Sequence, residues 1–114
     1  MLYEKPDSSM KIAAQALELS QQLKWQKGIA LSYRQKGLVY YFQSDFVNAI
    51  EFSQEALKAA AVLNNNLLNA SIYNNIANVY ADMGQQEKAL DYYERLLTAA
   101  KEAKNNVYEM NALV

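Results

Sequence analysis

Apolar side chains along this chain recur at the spacing of an α-helix, with polar residues between them. The clearest stripe occupies positions i, i+3, i+4, i+7 and i+8 of one segment: Tyr73, Ile76, Ala77, Tyr80 and Ala81. A second stripe, from residue 89 to residue 100, has the same spacing. Because this spacing puts the apolar side chains on one face, both stripes predict amphipathic helices that bury that face against a neighbour.

Short polar segments interrupt the stripes and predict the corners between helices. Gly84, in the segment MGQQ, is placed to end a helix in the left-handed backbone conformation. Ser44 or Asp45, in the segment QSDF, is placed to cap the helix that follows, and asparagines near residues 64–66 and 104–106 suit the other corners. We therefore predict five helices, at residues 8–24, 27–43, 45–63, 67–83 and 86–104. A sixth helix is predicted to begin near residue 107.

The chain also repeats itself at an offset of 40 residues. Ten residues of one copy are identical in the next: Ala30, Tyr33, Val39, Tyr40, Ala49, Leu57, Ala59, Ala60, Asn65 and Asn66. The same offset divides the chain into four parts. Residues 8–24 are the second half of a repeat, residues 27–63 and 67–104 are two full repeats, and residues 107–114 are the start of a further repeat. We interpret residues 1–114 as a single helical-repeat domain and as a fragment of a longer protein.

Composition argues against several classes of function. The formal net charge is −1 and no polybasic run is present, so this segment is not expected to bind nucleic acid or a membrane surface. Cysteine and histidine are both absent, which excludes thiol nucleophiles, imidazole bases and the usual zinc ligands. The carboxylate pairs at i and i+4 are interpreted as solvated helix faces. No cofactor or metal is expected, and the chain is interpreted as non-catalytic.

The first ten residues lack the apolar core of a signal peptide, and no apolar run is long enough to span a bilayer. These features favour a cytoplasmic location. In a fragment, however, a missing signal does not decide the compartment.

The two full copies resemble the tetratricopeptide repeat. The signature of that family is W-x2-L-G-x2-Y followed by A-x3-F. The second copy corresponds to it through Tyr73, Ile76, Ala77, Tyr80, Ala89 and Tyr93, and the first through Tyr33, Lys36, Gly37, Tyr40, Ala49 and Ser53. There are departures, because Lys36 occupies a leucine position, the closing proline is absent and the period is 40 residues.

The resemblance implies an all-α fold, a right-handed superhelical solenoid of antiparallel helix pairs with about five helices and a partial sixth. It also implies a non-catalytic module that binds a protein or peptide in its concave groove. Longer-period members of the family include kinesin light chains and bacterial regulators that bind signalling peptides. A larger bacterial regulatory or signalling protein is therefore the expected parent.

In proteins of this family the first helix of each pair lines the concave face. Six residues at such positions are implied as peptide or partner contacts: Arg34, Tyr41, Asn74, Asn75, Asn78 and Asp82. The carboxamides of Asn75 and Asn78 share one helical face and can bond to a peptide backbone, while Arg34 can pair with an acidic group. The alternatives are that Asn74 and Asn78 bond to a neighbouring helix or to water, and that Tyr41 is buried against a flanking helix.

A different function is self-association. Apolar residues near both ends of the solenoid would then pair between chains, through Ile12, Ala16, Tyr108 and Leu113. Trp25, near a repeat corner, is open to two interpretations, as an interface residue or as a cap on the stack of helices. The tyrosines of the apolar stripes are interpreted as packing residues.

Overall fold

The structure is a computed structural model that describes residues 6–112, with side chains described for residues 7–104. Within that range all regular structure is helical, and the prediction of an all-α fold is confirmed. The helices are α1 (Pro6–Gln22), α2 (Gln26–Phe42), α3 (Phe46–Ala60), α4 (Asn66–Asp82) and α5 (Gln86–Ala112), with a 3₁₀ turn at Ala61–Leu63 after α3. In this part of the chain no helix is long and apolar enough to cross a membrane. The right-handed course of a superhelix stays a prediction.

Contacts between helices divide the chain into two compact units, Met1–Leu63 and Asn64–Val114. In the first unit α2 packs against both α1 and α3, and in the second α4 packs against α5. The connecting corners are only a few residues long, so successive helices within a unit run antiparallel. The boundary between the units falls at the predicted boundary between the two full repeats.

Small side chains at the helix–helix contacts let the backbones approach closely. Ala30 and Ala49 are fully buried in the first unit, as is Ala77 in the second. Gly37 faces α3 so closely that a Cβ there would lie 2.7 Å from Ser53 Oγ. The alanine and glycine positions of the repeat are therefore contact points at which a larger side chain would not fit.

One aromatic ring from the second helix of each pair lies beside two tyrosines of the first. Phe52 stacks on Tyr40 with ring centroids 5.4 Å apart and also lies 6.3 Å from Tyr33. The same arrangement recurs in the second unit, at centroid distances of 5.8 and 6.2 Å, for Tyr92 with Tyr80 and Tyr73. These ring contacts give the four tyrosines the packing role predicted for them.

The lysine in a leucine position also has a packing partner. Lys36 lies on α2 and places its Nζ 5.0 Å from the centroid of the Phe52 ring. An ammonium group over an aromatic face is attracted by the ring quadrupole. The departure from the family signature is therefore accommodated by a cation–π contact with the adjoining helix.

Left-handed residues and side-chain caps form the corners as predicted. Ser44 and Gly84, 40 residues apart, have φ values of +61° and +80°. Asp45 caps α3 by accepting a hydrogen bond from the backbone N–H of Asn48 at 3.3 Å. Asn65 caps α4 in the same way. The corner chemistry of both full repeats could thus be recognised from turn residues alone.

The helix break expected at residues 104–106 is not found, because α5 continues without interruption to Ala112. The equivalent corners earlier in the chain are Lys24 and Asn64, whose φ values are +55° and +50°. Neither lysine nor asparagine excludes helical backbone, so the local sequence permits a helix or a corner at these positions. A corner at such residues has to be stabilised by the packing of the next helix.

Candidate functional site

Two of the six predicted contact residues, Arg34 and Tyr41, lie on α2. They are seven residues apart and therefore share one face of the helix. The Nε atom of Arg34 is buried and has no hydrogen-bond partner among the described residues. Tyr41 packs edge-on against Phe42 at a centroid distance of 5.3 Å, and Phe42 itself is half exposed. This part of α2 thus combines a cationic side chain with a partly exposed pair of aromatic rings, Tyr41 and Phe42.

The other four predicted contact residues lie on α4. Asn74, Asn78 and Asp82 follow one another at intervals of four residues, which places them in one row along the helix. Asn74 and Asp82 are exposed, whereas Asn78 is half-buried. The row offers one carboxylate and two carboxamides, a set of groups suited to hydrogen-bonding a polar backbone.

Asn78 is held by the neighbouring helix of its own unit. The hydroxyl of Tyr93, on α5, donates a hydrogen bond to Asn78 Oδ1 at a distance of 2.6 Å. This contact matches the alternative in which Asn78 bonds across to a neighbouring helix. It uses the carboxamide oxygen and leaves the two N–H donors of Nδ2 outside the bond.

Asn75 differs from the asparagines on either side of it because it is buried, with 8% of its surface exposed. Its Nδ2 is also buried and has no hydrogen-bond partner among the described residues. Leaving such a donor without an acceptor costs about 1–3 kcal/mol. Most buried polar groups in folded proteins are satisfied, so this amide needs an explanation beyond packing.

Tyr80, on α4, lies in a partly buried aromatic cluster of the second unit. Burial raises the pKa of Tyr80 above its ordinary value of 10.0, and the nearby Tyr92 phenol raises it further. Lys88 Nζ lies 5.4 Å from the centroid of the Tyr80 ring. The tyrosines of this cluster offer their hydroxyl groups as hydrogen-bonding groups.

Two of the surface grooves that lie within single units are lined by residues of two helices, and neither contains any of the six predicted residues. An acidic groove of about 440 Å³ in the second unit runs between α4 and α5, and its lining includes Asp91, Glu94 and Glu102. In it, Asp91 forms an ion pair with Arg95 at 3.1 Å. An apolar groove of about 230 Å³ in the first unit is lined by residues of α1, including Ile12 and Ala16, by residues of α2, and by Trp25 in the corner between the two helices. The sequence analysis selected Ile12 and Ala16 but did not anticipate the acidic groove.

The structure groups the predicted residues by unit, with two on α2 and four on α4. The sequence pattern predicts a packing role for Tyr93, with its hydroxyl at the surface or on a partner, and leaves open that Asn78 bonds to a neighbouring helix. It does not predict that these two residues bond to each other. A signal for this pair was present in the repeat. The corresponding residues 40 positions earlier are Ser53 and Leu38, so the phenol and the carboxamide occur together in one copy and neither occurs in the other.

Comparison with protein-family models gives one match, described as Tetratricopeptide repeat, over residues 28–102. The matched range runs from the first turn of α2 into α5 and spans most of both predicted full repeats. All six predicted contact residues lie inside it. A comparison with curated proteins finds no match to the chain.

Proposed function

The chain belongs to the tetratricopeptide repeat family, whose members generally mediate protein–protein interactions, and we propose that it binds a peptide or partner segment along the polar faces of α2 and α4. The contact residues in this proposal are Arg34, Tyr41, Asn74, Asn75, Asn78 and Asp82. The module would serve a larger regulatory or signalling protein of bacterial type, which the longer-period repeat favours. No chemical step is assigned to it.

Two unpartnered donors carry this proposal. Arg34 Nε and Asn75 Nδ2 are buried without an acceptor, one on the first helix of each full repeat. Both residues lie at positions that the family resemblance implies as ligand contacts. Both atoms are buried in the free chain, so a ligand would reach them only if the two side chains turned outward, and its acceptors would then supply hydrogen bonds that the free protein lacks.

An extended peptide is a suitable ligand for such a surface. Its main chain presents carbonyl acceptors at regular intervals, and asparagine side chains can bond to them without selecting a particular side chain. Arg34, on α2 of the first unit, has an affinity for a carboxylate group of a ligand. Tyr41 and Phe42 supply apolar contact area beside it. The proposed ligand is therefore an extended segment with at least one acidic group.

The proposal predicts a large loss of peptide affinity in the variant Arg34→Ala/Asn78→Ala. A peptide selected from a random 12-residue library on the wild-type chain serves as the probe, and fluorescence anisotropy gives its Kd. Removal of one charge-assisted and one neutral hydrogen bond should weaken binding by about 30-fold.

The matched control is Lys58→Ala/Glu87→Ala, which removes two exposed charged side chains from α3 and α5. Its Kd should stay within about twofold of wild type, since exposed charges contribute little. Circular dichroism establishes that the variants are equally helical. Equal affinities for wild type and Arg34→Ala/Asn78→Ala would place the binding surface elsewhere.

Self-association is a second candidate function, favoured by a cluster of exposed apolar side chains in the first unit. Ile12, Leu19, Leu23 and Trp25 are each more than half exposed. Ile12 and Trp25 also line the apolar groove, whose other walls come from α1 and α2. Contiguous apolar surface of this kind is typical of protein interaction sites. Tyr108 and Leu113, also selected for this function, lie outside the residues whose side chains the structure describes.

If this cluster joins two chains, sedimentation velocity should show a mass that rises with concentration. The variant Ile12→Ser/Leu23→Ser should then remain monomeric, because it removes apolar area from the cluster without touching a buried residue. A serine pair at the exposed Val47 and Val62 serves as the control and should behave as wild type. A wild-type chain that stays monomeric at every concentration rules out this candidate.

A further inference from the structure

Tyr93 carries a hydroxyl group that its packing position does not require. The family signature has phenylalanine four residues after the repeat alanine, and Tyr93 stands at that position after Ala89. A phenylalanine ring would fill the same space. The Tyr93 hydroxyl does have a partner, because it donates a hydrogen bond to Oδ1 of Asn78, on the adjoining helix α4, at a distance of 2.6 Å.

The other full repeat shows that this bond is not part of the common fold. Its equivalent residues, Leu38 on α2 and Ser53 on α3, have neither a carboxamide nor a phenol. Each unit nevertheless forms the same helix pair and the same aromatic cluster. The bond between Tyr93 and Asn78 is therefore an addition specific to the second unit.

A carboxamide can rotate by half a turn and exchange its oxygen with its nitrogen at little steric cost. An unrestrained asparagine on a binding face therefore offers a ligand either a donor or an acceptor. In the structure the phenolic O–H of Tyr93 donates to the oxygen of Asn78, which turns Nδ2 away from the phenol. Asn75, three residues earlier on α4, has an Nδ2 without a partner among the described residues, but that atom is buried.

From these contacts we infer that Tyr93 is a positioning residue that fixes the direction of the Asn78 carboxamide, so that the second unit selects a ligand by its hydrogen-bond acceptors. Main-chain carbonyl groups of a peptide are acceptors of the kind that the Nδ2 group of Asn78 can bind. The inference concerns ligand selection and rests on the proposed function. The positioning itself can be tested without any ligand.

The first test measures the Asn78 side-chain amide by NMR in ¹⁵N-labelled protein. In Tyr93→Phe the Asn78 Nδ2 resonance should move and its order parameter should fall, because the restraint on the oxygen is gone. Tyr73→Phe removes a phenolic oxygen from the same unit and is the matched control, in which the Asn78 signal should stay in place. An Asn78 amide with the same shift and order in Tyr93→Phe as in wild type would overturn the inference.

The second test uses N-acetylproline dimethylamide, a probe with two carbonyl acceptors and no N–H donor. It should shift the Asn78 Nδ2 signals of wild type, whereas methylammonium, which has donors only, should not. In Tyr93→Phe the concentration of the acceptor probe at half-saturation should rise about fivefold, the effect of one neutral hydrogen bond. Asn78→Asp keeps an acceptor for Tyr93 but has no donors, and it should remove the response to the acceptor probe.

The two tests separate this inference from the proposed function. If Tyr93→Phe releases the Asn78 amide and weakens the acceptor probe, both stand. A second outcome is that Tyr93→Phe releases the Asn78 amide but the acceptor probe perturbs no residue of α4, even in wild type. In that case the positioning role of Tyr93 is supported and the proposed peptide site on α4 is wrong. Two results would overturn the selection that we infer. The first is an equal half-saturation concentration of the acceptor probe in wild type and Tyr93→Phe. The second is a wild-type response to methylammonium as large as the response to the acceptor probe.

Discussion

Replacement of Ile76 by alanine is expected to lower the free energy of unfolding by about 2–5 kcal/mol. Ile76 is 0% exposed and lies in the middle of α4. Alanine would remove the apolar contacts of three carbon atoms and leave a cavity that rigid helices only partly fill. Since small domains are stable by only about 5–15 kcal/mol, this one change should bring the second unit close to unfolding.

Urea unfolding followed by far-ultraviolet circular dichroism measures the effect of Ile76→Ala as a fall in the unfolding midpoint. The matched control is Leu67→Ala, also on α4, where the side chain is 68% exposed. This surface change should alter the unfolding free energy by no more than about 0.5 kcal/mol. If the two variants had equal midpoints, the core of the second unit would have been assigned to the wrong face of α4.

Replacement of Gly37 by valine should destabilise the first unit by about 1–3 kcal/mol, toward the upper end of that range. A Cβ at Gly37 would lie 2.7 Å from Ser53 Oγ and 3.2 Å from the backbone oxygen of Ala49. The serine hydroxyl can rotate away, but the Ala49 carbonyl belongs to α3 and moves only if the helix moves. Valine adds two methyl groups at this contact, so α2 and α3 would have to separate.

The destabilisation at Gly37 is steric and can be distinguished from helix propensity. Ala14→Val, at an exposed position of α1, reports propensity alone and should cost about 0.5 kcal/mol. Adding Ser53→Ala to Gly37→Val should recover part of the loss, because one of the close atoms is removed. A Gly37→Val protein as stable as wild type in thermal unfolding would contradict the close approach of the two helices.

The sequence was most informative where local chemistry determines backbone shape. Asp45 and Asn65 were recognisable as caps, and Gly84 as a left-handed residue, because few residue types perform those functions. The continuation of α5 through residues 104–106 was not predictable. Lysine and asparagine adopt helical and left-handed conformations, so the outcome depends on contacts that lie far from these residues in sequence.

For the candidate site, the repeat register predicted which helices would carry the polar residues but not how each side chain is used. Adjacent residues on a helix point about 100° apart, so a small rotation of α4 decides whether Asn74 or Asn75 is buried. The structure buries Asn75 and exposes Asn74. The bond from Tyr93 to Asn78 likewise depends on the axial offset of α5 against α4, which no local pattern contains.

The central claim is that a peptide binds the polar faces of α2 and α4. Its most direct test is chemical-shift mapping on ¹⁵N-labelled protein, with the selected 12-residue peptide added in steps. The account predicts that the largest shifts occur at the six contact residues: Arg34, Tyr41, Asn74, Asn75, Asn78 and Asp82. Shifts confined to the apolar groove of α1 and α2, or to the acidic groove lined by Asp91, Glu94 and Glu102, would contradict it.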